Sequence, residues 1–183
     1  MTTIPELETL FQSFLSYKNA TTNRASLGPW LHHHITTCSF PGADQIPFRS
    51  DTYTRNRIAK EDSSHNQGFE ALIMRWDGQV QTSIHGHPEF PFYYVISGCF
   101  DMDLFAHSPT GGLHLTESRR FGPGESVWFL GQAGQYDNFI HRVTCLKPGH
   151  TFHVYSEDAQ KGLAFDDLAK YSCGLVWQHM QLC

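Results

Sequence analysis

The sequence predicts a mainly β protein, a sandwich or barrel, with helices confined to its N-terminal part. Two observations carry that expectation. Short apolar or β-branched runs recur from about residue 50 onward, separated by Asp77-Gly78, Pro109-Thr110-Gly111-Gly112, Gly122-Pro123-Gly124 and Lys147-Pro148-Gly149. Short strands at that cadence, punctuated by turn residues, belong to all-β architectures. Aromatic residues also make up 14% of the chain, and such side chains suit a pleated, half-buried surface.

Taken in order, residues 5 to 20 read as a helix. Leu7, Leu10, Phe11, Phe14 and Leu15 fall on one stripe at helical spacing, and Pro5 and Glu6 suit a first turn. A second, weaker helical stretch includes Trp30-Leu31-His32-His33-His34-Ile35. Its three consecutive histidines point in different directions on a helix, so they read as a polar helix end rather than as a metal cluster. Tyr53–Ile58 is β-prone, residues 63–68 form a turn, and Phe69–Trp76 is an apolar strand. Then come Thr82–Pro88, the aromatic run Phe92–Ile96 with a turn at Ser97-Gly98, and strands at Cys99–Phe105, Leu113–Glu117, Ser126–Leu130, Ile140–Leu146 and Thr151–Tyr155. A last strand is expected at Gly174–His179.

With 183 residues the chain is long enough for one domain with a real core. We expect a single domain over 1–183, with 1–48 mostly helical and 50–180 the β-barrel. A net charge of -5 provides no broad basic surface, which argues against nucleic acid as a partner. Five scattered cysteines without a Cys-x-x-Cys pair suit reduced thiols and a cytoplasmic protein. The N-terminus lacks the layout of a signal peptide, and no apolar run is long enough to span a membrane. A monomer or weak homo-oligomer is the expected assembly.

Histidine is the outlier of the composition, at 12 residues. His85 and His87 are two apart, so both imidazoles lie on one face of an extended stretch. Neutral imidazole is a general ligand for first-row metals. Two solvated histidines at a strand end would look the same in sequence, so a third ligand must decide. His141, in Phe139-Ile140-His141-Arg142-Val143, supplies a candidate on its own expected strand, where a half-buried structural histidine is the alternative.

Together with these residues, Tyr53-Thr54-Arg55-Asn56, Trp76-Asp77-Gly78, Ser83-Ile84-His85-Gly86-His87 and Thr151-Phe152-His153-Val154-Tyr155-Ser156 follow one another in a recognisable order. Over roughly residues 50 to 180 the chain resembles a cupin, and within the cupins the thiol dioxygenases of the cysteine dioxygenase family. The resemblance implies a cupin-type barrel (a double-stranded β-helix or jelly roll) holding Fe(2+) through His85, His87 and His141. General cupins add a glutamate four or five residues after the second histidine, but Pro91 and Phe92 stand there, so three neutral ligands remain. They leave Fe(II) its full double charge, which favours an anionic thiolate, and leave positions open for substrate and O2. Glu89 is left a solvated or supporting role.

The same resemblance assigns Arg55, and with it Tyr53, to the substrate carboxylate, which a guanidinium grips as a planar fork. Arg57 shares its face on a strand and competes for the role; a surface salt bridge is the ordinary alternative for Arg55. Tyr155 and His153 share a face by the period of two. In the family such a pair sets a phenol near the iron, oriented by the histidine, with Thr151 where a serine is usual; otherwise they are a buried hydrogen-bonded pair.

The chain departs from the family in several places. Phe92 stands where animal enzymes carry the cysteine that crosslinks to the active-site tyrosine, so no thioether is expected. Gly86 replaces a frequent aspartate, Glu157-Asp158 replaces a usual proline, and the loop 131–138 is longer. The implied activity is oxidation of a small thiol carboxylate, L-cysteine first, to its sulfinate with O2, the substrate binding through its thiolate. A dioxygenase for another thiol such as 3-mercaptopropionate is one alternative, though related enzymes for it tend to carry glutamine at the Arg55 position. A cupin that binds metal or ligand without turnover is another, and a metal-dependent isomerase or decarboxylase a third.

Overall fold

A computed structural model describes residues 4–61 and 68–165 of the chain. The expected turn at residues 63–67 and the expected strand at Gly174–His179 lie outside the described residues. Two α-helices come first, α1 (Pro5–Ala20) and α2 (Leu27–Ile35). Pro5 opens α1, where a missing N–H leaves no bond unmade, and Glu6 and Glu8 place negative charge at the positive end of the helix. Leu7, Leu10, Phe11 and Phe14 form its buried stripe. No described helix is long and apolar enough to cross a membrane.

The strands are β1 (Tyr53–Lys60), β2 (Glu70–Trp76), β3 (Ile84–His87), β4 (Pro91–His107), β5 (Leu113–Phe121), β6 (Ser126–Trp128), β7 (Asn138–Tyr155) and β8 (Ala164–Phe165). All pair antiparallel. The long strands β4 and β7 form the middle, paired from Pro91↔Tyr155 to Leu104↔His141. At one end, β6 flanks β4 while β2 and then β1 flank β7. At the other, β5 flanks β4 while β3 and then β8 flank β7. The protein is therefore mainly β, a curled antiparallel sheet whose two halves share an interior.

Two expected turns prove to be corners inside continuous strands. Ser97-Gly98 does not end the aromatic run, and Lys147-Pro148-Gly149 does not separate two strands. The ladder between β4 and β7 is irregular from Val95 to Phe100, so both strands bulge and bend together. Gly98 has φ 94°, and a Cβ on Gly149 would overlap the Ser97 carbonyl. Glycine at both facing positions lets the chains turn while remaining paired, and Pro148 falls in the bulge, where no ladder donor is needed. Turn residues are read identically in sequence whether they end a strand or bend it.

The half-sheet of β1, β2 and β6 is covered on both sides. Ile73, Phe92, Tyr94, Phe152 and Val154 face the helices and pack with Leu7, Phe11 and Phe14. Leu72, Met74, Trp76, Tyr93 and Val95 face the interior, where Phe100, Met102, Phe121 and Val143 of the other half meet them. Burial on both faces accounts for the nearly unbroken apolar run of β2. The other half shows charge to water, with the cross-strand pairs Arg120–Asp101 at 2.8 Å and Arg142–Asp103 at 2.6 Å. Cys38 and Cys145 are free thiols as expected, whereas Cys99 is disulfide-bonded, which the sequence reading did not anticipate.

Candidate metal centre

The period of two along β3 turns His85 and His87 to one side, while Ile84 packs on the other with Leu113 and Ile140. His141 stands directly opposite His85 in the β3–β7 register. The three candidate ligand nitrogens lie within 4.8 Å of one another. Among the described residues no other group of three His, Cys, Asp or Glu converges in this way.

Hydrogen bonds set which nitrogen each ring offers. His85 Nδ1 lies 2.9 Å from the Ser83 carbonyl and His141 Nδ1 lies 2.8 Å from the Phe139 carbonyl. A carbonyl only accepts, so each Nδ1 carries the proton and each Nε2 keeps a lone pair. Burial lowers all three pKa values: His141 to about 3, with His85 adding to the effect, and His87 well below the usual range, with His141 and His85 adding. The imidazoles are therefore neutral near pH 7 and able to donate to a cation. His87 is 1% exposed, and neither of its ring nitrogens has a partner. A buried unpaired nitrogen is unfavourable by itself, and a metal ion is the partner this donor set fits. Glu89 does not join it; it pairs with Arg24 at 3.1 Å.

The cleft beside the histidines is lined by His85, His141, Tyr53, Arg55, His153 and Tyr155, with Met74 and Val143 as apolar wall. Cross-strand pairing places Tyr53 opposite Trp76 and Arg55 opposite Met74, and the Tyr53 and Trp76 rings stack at 4.4 Å. The Arg55 guanidinium lies 5.7 Å from the centre of the Tyr53 ring and has no ion-pair partner among the described residues. Arg57, its competitor, pairs instead with Glu70 at 3.4 Å. Glu70, 2% exposed, is the first residue of β2 and stands opposite Lys60 at the end of β1.

On β7 the same period of two turns Thr151, His153 and Tyr155 inward as a relay. Trp76 Nε1 donates to Thr151 Oγ1 at 2.8 Å, Thr151 Oγ1 meets His153 Nε2 at 2.7 Å, and His153 Nδ1 meets the Tyr155 hydroxyl at 2.9 Å. Indole only donates, so the Thr151 hydroxyl accepts there and keeps one acceptor position and its own proton for His153 Nε2. His153 links Thr151 to Tyr155 in either sense, with its proton on Nδ1 when Thr151 donates to it and on Nε2 when Thr151 accepts. The sequence identified Tyr155, His153 and Thr151; Trp76 as head of the relay and Met74 and Val143 as wall were missed. The alternation of Leu72, Met74 and Trp76 on β2 is the signal that would have found two of them.

Thr151→Val keeps the shape of the side chain and removes the hydroxyl between two buried groups. Leaving Trp76 Nε1 and His153 Nε2 without it should destabilise the fold by about 1–3 kcal/mol. Chemical denaturation of the variant checks this; an unchanged midpoint would show that the relay contributes nothing.

Phe92 faces the helix-side core, away from Tyr155, which stands opposite Pro91. No cysteine occupies 91, 92 or 93, so the protein should run as one species without a thioether at Tyr155. An intact mass two hydrogens short, mapped to a peptide joined at Tyr155, would contradict this. Gly86 also has a structural reason: a Cβ there would come within 2.5 Å of Asp137 Cα, because the loop 131–138 packs on this glycine.

Fold and centre together define a curled β protein with a three-histidine site that could hold a metal ion. No family model matches the chain, and no curated protein matches it either. Among solved structures it is similar to a cupin superfamily protein from Desulfitobacterium hafniense, with 11% identity and a TM-score of 0.47 over 67% of this chain and 93% of that one. An RmlC-like cupin from Shewanella frigidimarina shows 16% identity and a TM-score of 0.42 over 65% and 88%. An oxalate oxidase shows 11% identity and a TM-score of 0.44 over 61% of this chain and 54% of that one. These are likenesses of architecture, which here rests on the strand pairing itself.

Proposed function

We propose that this protein is a non-haem Fe(II) thiol dioxygenase that oxidises a small thiol carboxylate, L-cysteine first, to its sulfinate with O2. One observation carries the reading: three neutral imidazoles converge, and two of them, His85 and His141, line a small cleft with an arginine that has no anionic partner among the described residues. Bound by His85, His87 and His141, Fe(II) would supply the redox chemistry between thiol and O2.

The residues of the chain supply binding and orientation. Arg55 holds the substrate carboxylate as a bidentate fork, and the Tyr53 ring beside it limits the guanidinium's freedom. Among the described residues no carboxylate joins the three histidines to compete with the anionic thiolate for positive charge. Burial raises the Tyr155 pKa, so the phenol stays protonated, and the contact with His153 Nδ1 at 2.9 Å holds its hydroxyl in place beside the cleft. Met74 and Val143 keep the space small and apolar, which restricts it to compact substrates. Both oxygen atoms go to sulfur, and the thiolate RS⁻ becomes RSO2⁻ with no other reductant.

The test is to load the full chain with Fe(II), supply L-cysteine, 3-mercaptopropionate and cysteamine in turn, and follow O2 uptake and sulfinate. L-Cysteine should give sulfinate equal to the O2 consumed. Preference for 3-mercaptopropionate would move the activity to that thiol. Bound iron with no O2 uptake on any thiol would leave a metal-binding protein without this chemistry.

A further inference from the structure

One residue beside the centre adopts a backbone conformation that its type rarely takes. Phe139 has φ 51°, in the left-handed region, although it is neither glycine nor asparagine. The β3–β7 register explains the need. His85 faces His141 but His87 faces Asn138, so Phe139 and Ile140 together stand opposite Gly86. This is a bulge, and its left-handed residue lies two positions before a candidate ligand. The Phe139 carbonyl is the group that accepts from His141 Nδ1 at 2.8 Å. The Phe139 ring lies 4.8 Å from the His141 ring on one side and stacks on Phe129 at 5.8 Å and 15° on the other.

A left-handed backbone is unfavourable for a side chain with a Cβ, which comes too close to the following carbonyl oxygen. Such a conformation persists only where its surroundings hold it. We propose that Phe139 is a positioning residue: its left-handed backbone aims its carbonyl at His141 Nδ1 and so presents Nε2 to the metal, with the Phe129 stack holding the bulge in place. His85 obtains the same orientation from Ser83, so both rings are fixed from behind by a carbonyl two residues upstream. The inference rests on the reading of the three histidines as a metal site.

Two substitutions separate backbone from ring. Glycine accepts a positive φ without penalty, whereas a β-branched residue resists it most. In the metal-free full chain, 15N shifts of the histidine rings near pH 7.5 report which nitrogen is protonated. Wild type and Phe139→Gly should show His141 protonated on Nδ1, and Phe139→Val should show the tautomers mixed. Fe(II) affinity, by anaerobic titration, should fall about 10- to 100-fold in Phe139→Val, as for loss of a partner behind a ligand, and much less in Phe139→Gly. An unmixed tautomer in Phe139→Val overturns the proposal, and so does a glycine variant that loses the tautomer as valine does. If wild type binds no Fe(II), the metal reading fails and the tautomers still decide the role of Phe139.

Discussion

Replacing His87 by leucine should remove metal binding while leaving the metal-free fold about as stable as before. His87 is buried between the His141 ring at 4.9 Å and the Tyr155 ring at 4.9 Å, and both of its nitrogens lack a partner. Removing a polar group that makes no bond, and filling its space with an apolar one, is close to neutral for stability. The expected change for the apoprotein is within about 1 kcal/mol in either direction. The effect on metal should be far larger. Loss of a partner behind a ligand lowers affinity roughly 10- to 100-fold, so loss of a ligand should exceed 100-fold. Fe(II) titration and chemical denaturation of the apoprotein check the two halves separately. A purely structural histidine would show the opposite result, a weakened fold with metal content unaffected. Alanine at His85 or His141 should likewise empty the site, and full iron occupancy in either variant would remove that residue from the ligand set.

Arg55→Ala should lower kcat/KM for L-cysteine roughly 10- to 150-fold. The figure is the loss of a charge-assisted contact of about 1.5–3 kcal/mol at about 1.4 kcal/mol per tenfold. Cysteamine has the thiol and the amine but no carboxylate, so it should be a poor substrate for wild type and should lose much less in the variant. Arg57→Ala is the control. Arg57 is half exposed and pairs with Glu70, so its removal should disturb the end of β1 and β2 and change the preference between the two thiols little. Equal loss on both substrates in Arg55→Ala, or a selective loss in Arg57→Ala, would move the carboxylate away from Arg55.

Helix α1 and the inner strands were legible in the sequence because their signals are local. A 3.6-residue stripe buries Leu7, Leu10, Phe11 and Phe14, and a period of two places His85 with His87 and His153 with Tyr155. The glycine corners were not legible. Whether Ser97-Gly98 ends β4 or bends it depends on Gly149 lying across from it, and that neighbour comes from 51 positions beyond Gly98 (149 minus 98) in the chain. Disulfide bonding of Cys99 was hidden for the same reason, since spacing alone does not say which thiols meet.

The candidate site divides along the same line. Its residue types and their faces are local properties of each strand, so the sequence alone determined that His85, His87 and His141 were the ligands to consider and that no glutamate stood four or five residues after His87. The choice between Arg55 and Arg57 turned on long-range pairing, which put Glu70 against one guanidinium and left the other facing the histidines. The protonated nitrogen of His141 depends on a bulge opposite Gly86, and the hydrogen-bonded chain that ends at the Tyr155 hydroxyl starts from an indole in another strand. A strand's own sequence sets which way each side chain points; only the packing of distant strands sets what it meets there.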